Sequence, residues 1–387
     1  MKRGLAGRYV TVSTAGGERC RAFIPNPLPP VPALQFDPDL EDKYEKALLA
    51  LGNLQGISSL LPDSDLFIYY YIRKEAVLSS QIEGTQSSLD ELLLYESKDP
   101  PGIPPDEVRE YINYLKALDH GLERFKSGFP MSLRLMREVH GVLLEKGRGS
   151  GKDPGEFRRS QNWIGGNRPG NAVFVPPPHE NVMELMGRLE SFLHNKPRKT
   201  PTLIKAALTH AQFETIHPFL DGNGRAGRLL IALLLHYEGI LTAPLLYLSL
   251  YFKRNRERYY ELLQSVRITG DFEAWLRFFL VGVKETSDQA VATAHGLTAL
   301  FEGDRDRIKA LGKAANSALR VHHELQRQPI ITMPLAAERT GLSLPTVSAM
   351  LNRLIELGII RELKKVGKKR FFTYHRYLDI LREGTET

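Results

Sequence analysis

Twelve residues constrain this chain more than any other stretch: His217-Pro218-Phe219-Leu220-Asp221-Gly222-Asn223-Gly224-Arg225-Ala226-Gly227-Arg228. A histidine, a carboxylate, an asparagine, two arginines and three glycines stand directly ahead of the apolar run 229–235, which reads as a buried helix. The motif is therefore a loop feeding a helix N-terminus, which is a natural anion site. Gly222 and Gly224 let the backbone approach a ligand, and the first free N–H groups point at it with the positive end of the helix dipole behind them. If the helix already begins at Asp221, residues 221, 225 and 228 share one face. Asp221 then offers a carboxylate to a metal beside two guanidinium groups that fork onto phosphate oxygens. His217, with an ordinary pKa of about 6.5, suits proton removal near neutrality. A bare helix cap with scattered surface arginines does not account for so many chemical groups in so few positions.

The stretch fits the pattern His-Pro-Phe-x-(Asp/Glu)-Gly-Asn-(Gly/Lys)-Arg-x-x-Arg without a gap, and so resembles the Fic family of protein adenylyltransferases. The resemblance implies ATP and Mg²⁺ as cofactors. His217 is then the catalytic base, Asp221 the metal ligand, and Gly222, Asn223, Gly224, Arg225, Ala226, Gly227 and Arg228 the ATP-binding cradle. Further upstream, Ser79-Ser80-Gln81-Ile82-Glu83-Gly84 matches the inhibitory pattern (Ser/Thr)-x-x-x-Glu-(Gly/Asn) of the same family. As bare chemistry, Ser79 and Glu83 only share a helix face. In the resemblance, Glu83 pairs with Arg228 and excludes the γ-phosphate of ATP.

Other segments take roles from the same resemblance. Residues 161–178 read as two short strands around a Gly/Asn/Pro turn. They match the flap over which a target segment adds as an extra strand, with Ile164, Gly165, Gly166 and Asn167 as its contacts. Tyr260 and Leu263 are expected to line the adenosine pocket, although Arg267 stands where a polar residue, often asparagine, is expected. His140 and His210 read as structural histidines, and no His/Cys cluster has zinc spacing.

The expected fold is mainly α: a Fic-type helical core with a β-hairpin flap, followed by a winged helix. A chain of 387 residues exceeds what one core usually organises. Residues 1–104 are expected to hold an N-terminal arm and the inhibitory helix, 105–285 the catalytic core, 286–312 a helical connector and 313–387 the winged helix. Five prolines between residues 25 and 32 point to an extended arm, and the run 98–105 is the clearest breaker. Helical stripes begin at Asp39, Ser64, Val108 and Leu133. In the last domain Pro345 opens a third helix, Gly358 ends it, and residues 359–374 alternate as a basic hairpin carrying Lys364, Lys365, Lys368, Lys369 and Arg370. Thr346, Ser348, Ala349, Asn352 and Arg353 would face a DNA major groove.

Composition adds bounds. No apolar run reaches the ~18 residues of a membrane span, and no signal-like apolar segment follows the basic N-terminus. Cys20 is the one cysteine, so no intrachain disulfide forms, and a reducing cytoplasm is the expected compartment. A formal charge of +7 is a mild excess that favours acidic partners. The reading is an autoinhibited transferase that moves AMP from ATP to a Ser, Thr or Tyr hydroxyl of a target protein or of itself. AMP removal, use of another nucleotide, and a nucleotide-sensing transcriptional regulator stay open beside it, as do DNA and a second copy of the chain as partners.

Overall fold

The computed structural model describes residues 2–13, 17–60, 64–96, 106–363, 370–383 and 385. Its first element departs from the expected extended arm. Strands β1 (Gly7–Ser13) and β2 (Arg19–Pro25) pair antiparallel, from Gly7 opposite Pro25 to Ser13 opposite Arg19. The prolines that follow do forbid a helix, but they begin only where β2 ends. Gly16-Gly17, between two runs with alternating side chains, is the hairpin signal in the sequence.

Helices α1 (Pro38–Leu60) and α2 (Ser64–Ile82) follow the expected stripes. The short α3 (Leu89–Tyr95) lies outside the sequence expectation. It is built on a capping box in which the Ser88 hydroxyl accepts from the Glu91 N–H and the Glu91 carboxylate accepts from the Ser88 N–H. The breaker at 98–105 lies outside the described residues. Beyond it come α4 (Asp106–Lys126), α5 (Leu133–Leu143), α6 (His179–Leu193), α7 (Thr202–Ile216) and α8 (Asn223–Tyr237).

Helices α7 and α8 form the centre of the molecule. Every residue from Leu203 to Ile216 is buried, as are all from Arg225 to Leu235. The two pack on each other because Gly227 has no side chain: a Cβ there would lie 2.6 Å from a carboxylate oxygen of Glu214. Helices α4 and α5 cover α8 on one side. On the other side α9 (Ser249–Arg254), α10 (Arg256–Thr269) and α11 (Phe272–Lys309) close the core, with Trp275 Nε1 donating to Ala207 O at 2.8 Å.

Helix α11 is one continuous helix of 38 residues. The core's last helix and the expected connector are thus a single rod, and no break falls at residue 285. It contains no proline, and its glycines leave the helix intact. The rod leads into α12 (Ala315–Arg327), β3 (Ile330–Thr332), α13 (Met333–Thr340), α14 (Leu344–Glu356), β4 (Arg361–Glu362), β5 (Phe371–Thr373) and α15 (His375–Arg382). Their three-stranded antiparallel sheet, ordered β3-β5-β4, completes a winged helix. The lysines at the wing tip lie outside the described residues, and Arg370 pairs with Glu362 at 2.6 Å.

Candidate active site

The loop between α7 and α8 is shaped from below. His217 caps α7 in the left-handed conformation at φ 50°, its N–H donating to Phe213 O at 2.8 Å. That conformation costs a non-glycine residue about 1 kcal/mol, so neighbours must enforce it. Arg158 does so: Nε donates to His217 O at 2.9 Å, Nη2 to Pro177 O at 2.5 Å, and its own N–H to Pro218 O at 2.9 Å. Asn162 Nδ2 adds a bond to Phe219 O at 3.0 Å. His140, one of the two structural histidines, lies flat on the Phe219 ring with centroids 3.6 Å apart. The Gly155 N–H donates to its Nδ1, which leaves Nε2 to donate to Asp221 O at 2.9 Å. His210 is a core histidine, donating from Nδ1 to Gly227 O and accepting from Tyr259 Oη.

The helix starts later than the one-face reading assumes. Gly222 is the N-cap at φ 72°, so Asp221 stands outside α8 and its Oδ1 accepts from its neighbour's N–H at 2.6 Å. Asn223 points inward. Its Oδ1 accepts from Phe219 N–H at 2.9 Å and its Nδ2 donates to Phe219 O at 2.8 Å, so it staples the loop. Arg225 is fully buried, with Nη1 bonded to Glu110 Oε2 on α4 at 2.8 Å and Nη2 4.0 Å from Asp221 Oδ1.

A carboxylate occupies the place expected for an anion. Glu83 Oε1 lies 2.8 Å from Arg228 Nη2, and Ser79 receives the same guanidinium through its hydroxyl, 2.9 Å from Nε, and its carbonyl, 2.7 Å from Nη2. The cradle exists because Gly224 is bare: a Cβ there would sit 2.1 Å from Glu83 Oε1. Burial works to raise the Glu83 pKa, but the charge and hydrogen bond of Arg228 outweigh it and hold the carboxyl below its usual value. For His217, burial and then the positive charges of Arg158 and Arg267 press the pKa down to about 3, so the ring is neutral across the physiological range. Its Nδ1 is buried with no hydrogen-bond partner among the described residues. Loose geometry of this kind is common in catalytic groups without substrate.

The flap doubles back through one antiparallel bridge, Ile164 with Phe174, rather than two full strands. Gly165 and Gly166 have φ of 68° and 71°, and a side chain at either would strike Val173 or Asn171. Asn167 and Asn171 close the turn through a 2.8 Å side-chain bond. Arg267 does not reach toward a base. It is buried, bonds to Thr215 Oγ1, Glu214 O and Gln264 Oε1, each at 3.2 Å, and lies 3.9 Å over the Phe174 ring of the flap. On α10, Tyr260 is 41% exposed beside Tyr259, whereas Leu263 is buried in the core.

Several of these groups are invisible to motif reading. Arg158, Glu110 and Arg267 are buried polar residues with partners far away in sequence, and Glu214 is a buried carboxylate whose Oε1 has no hydrogen-bond partner among the described residues. Burial pushes Glu214, beside Gly227 and Arg228, up to about 7. Among the described residues, no group of three or more His, Cys, Asp or Glu side chains could hold a metal by itself. Among them, too, no helix is long and apolar enough to cross a membrane.

Comparison with known proteins agrees with this geometry. Residues 42–123 match the Fic/DOC family N-terminal region, 130–235 the Fic/DOC family itself, and 316–361 the winged helix-turn-helix DNA-binding family. A probable protein adenylyltransferase of Aquifex aeolicus is 29% identical over 212 residues, covering 54% of this chain and 58% of its own length. The protein adenylyltransferase Fic of Drosophila yakuba is 36% identical over 186 residues, 47% of this chain and 34% of its own length. The matched stretches therefore span less than two thirds of either relative. In fold, the chain is similar to a Fic family protein from Desulfovibrio desulfuricans, with a TM-score of 0.57 at 21% identity over 88% of this chain and 97% of that one. A Fic domain containing signaling protein from Bacteroides thetaiotaomicron gives 0.51 at 20% identity over 67% and 97%. The motif loop lies inside the stretch that matches the Fic/DOC family, so this chain carries a Fic/DOC N-terminal region, a Fic/DOC domain and a winged helix-turn-helix.

Proposed function

We propose that the protein is an autoinhibited protein adenylyltransferase, moving AMP from ATP to a Ser, Thr or Tyr hydroxyl of a target protein or of itself. The observation that carries this reading is the Glu83 carboxylate, seated over Gly224 and bonded to Arg228 at 2.8 Å. An anion placed by the chain itself at a helix N-terminus marks where a phosphate binds, and while it is there a phosphate cannot bind productively.

In the reaction, the target's hydroxyl oxygen attacks the α-phosphorus, its proton passes to His217, and the bond from the α-phosphorus to the departing pyrophosphate breaks. The His217 ring is neutral and therefore able to accept that proton. Arg228, freed from Glu83, and the N–H groups at residues 222–224 stabilise charge on the phosphates. Asn223 contributes by fixing the loop through Phe219, and Arg225 by keeping a guanidinium beside Asp221. Mg²⁺ fits the donor set, because it needs only one or two protein carboxylates beside substrate phosphates and water, and Asp221 supplies one. Bound there, the ion would neutralise phosphate charge.

Intact-mass measurement after incubation with ATP and Mg²⁺ tests the reading. Glu83→Gly is expected to gain AMP additions on itself or on an added target, and Glu83→Gly with His217→Ala to lose them. Equal labelling of wild type and Glu83→Gly overturns autoinhibition.

Duplex DNA is the second ligand we propose, because Ala349, Asn352 and Arg353 are exposed on α14. Its binding should weaken steeply with salt; salt-independent retention argues against phosphate contacts.

A further inference from the structure

Helix α2 is held on two opposite faces. Glu75, Ser79 and Glu83 recur every fourth residue, and Ser79 and Glu83 meet Arg228. Tyr70 and Gln81 lie three turns apart on the opposite face, and both are held by the C-terminal module. Tyr70 Oη donates to Arg327 O at 2.6 Å, and its ring meets Tyr377 edge-on with centroids 5.3 Å apart. Gln81 Nε2 donates to Thr385 O at 3.1 Å, while Gln81 Oε1 accepts from Lys253 Nζ at 2.8 Å. Just past the inhibitory motif, Arg382 on α15 forks onto Asp90 of α3 through Nε, 2.8 Å from Oδ1, and through Nη2.

We propose that the winged helix has a further function as the clamp that holds the inhibitory helix down on the anion cradle; this rests on the autoinhibited-transferase reading above. Arg327, Tyr377, Arg382 and Thr385, which bind α2 and α3 from behind together with Lys253 of α9, belong to the C-terminal module. Among the described residues, no hydrogen bond or ion pair joins any of these four C-terminal residues to the motif loop. Loosening the module lets α2 lift and withdraw Glu83 from Arg228, so a partner that captures the winged helix acts on the nucleotide site through this helix. The release is partial, because the loop after Glu83 is also held by Glu107, which accepts from the N–H groups of Gln86 and Ser87 at 2.9 and 2.6 Å.

AMP transfer by the full chain, read by intact mass with ATP and Mg²⁺, tests the clamp. Gln81→Ala, Asp90→Arg and Arg382→Asp should each raise transfer about two- to fivefold over wild type, the range of exposed polar and ionic couplings, and remain below Glu83→Gly. Asp90→Arg combined with Arg382→Asp should return transfer to the wild-type level, which a packing defect would not do. Asp90 and Arg382 are both half exposed, so charge reversal there is compatible with folding. If the three variants equal wild type while Glu83→Gly is active, the clamp is overturned and the transferase reading stands. If Glu83→Gly is silent too, the transferase reading falls and the clamp with it.

Discussion

Each glycine and polar side chain of the motif does a separate job, and Asn223 illustrates how its chemistry can mislead. Its side chain carries donors that suit a phosphate, yet both Oδ1 and Nδ2 bond to the Phe219 backbone, which fixes the loop between His217 and the helix start. Asn223→Asp keeps the acceptor for the Phe219 N–H but replaces the donor by a charge facing the Phe219 carbonyl. The expected loss is about 1–3 kcal/mol of stability, the cost of leaving a buried acceptor unsatisfied. Urea unfolding without any nucleotide measures it. An unchanged midpoint would mean that the asparagine serves only a ligand. Glu83 behaves differently because its folded pKa is depressed. The stability from its pairing is present above the unfolded carboxylate value of about 4.5 and lost only as pH falls through the lower folded value. The activity ratio of Glu83→Gly to wild type should therefore be flat from pH 6 to 8, and a ratio falling toward one at pH 6 would contradict an ionised lock.

At the scale of elements, Arg267 is one of the ties on the flap, its guanidinium joining α10, the end of α7 and the Phe174 ring. A lysine keeps the charge but not the planar fork or the stacking surface. Arg267→Lys should speed hydrogen exchange at the Val173 and Phe174 amides, which donate to Ile164 O at 2.9 and 3.1 Å, while leaving exchange in α8 unchanged. Equal exchange at those amides would remove Arg267 from this role. That residue also shows where sequence reading ends. Helices α2, α7 and α8 are legible because apolar periodicity and a gap-free motif coincide, and the partnership of Glu83 with Arg228 follows from two patterns read together. Arg267, Arg158 and Glu110 carry little local signal, since the partners that explain their burial, Thr215 and Phe174, His217 and Pro177, and Arg225, are brought by the fold from farther along the chain. Two elements had local signals that went against the dominant texture: the β1–β2 hairpin, with Gly16-Gly17 beside a conspicuous proline run, and α3, whose Ser88 and Glu91 form a capping box.

For the whole molecule, buried titratable groups set the response to acid, and their signs compete. Burial lowers His140 and His322 to about 4 and His210 and His217 to about 3, against 6.5 when unfolded. These rings contribute stability that is full above pH 6.5 and is lost as pH falls toward their folded values. Glu75 and Glu214 run the other way. Burial raises both to about 7, so their contribution is full below 4.5 and is lost as pH rises through 7. Between pH 5 and 6 the unfolded chain binds four protons on the histidines that the folded chain refuses, and the folded chain binds two on the glutamates that the unfolded chain releases. The difference is about two protons in favour of the unfolded state, so stability should fall with acidification by roughly 2–3 kcal/mol per pH unit. Calorimetric melting at pH 5.0, 5.5 and 6.0 should show Tm dropping at each step, with protons taken up on unfolding. A Tm that is level or rises toward pH 5 would mean that the two glutamates outweigh the four histidines. Because His217 and Glu214 end the same helix, α7, Glu214→Gln should remove one opposing term and steepen the fall.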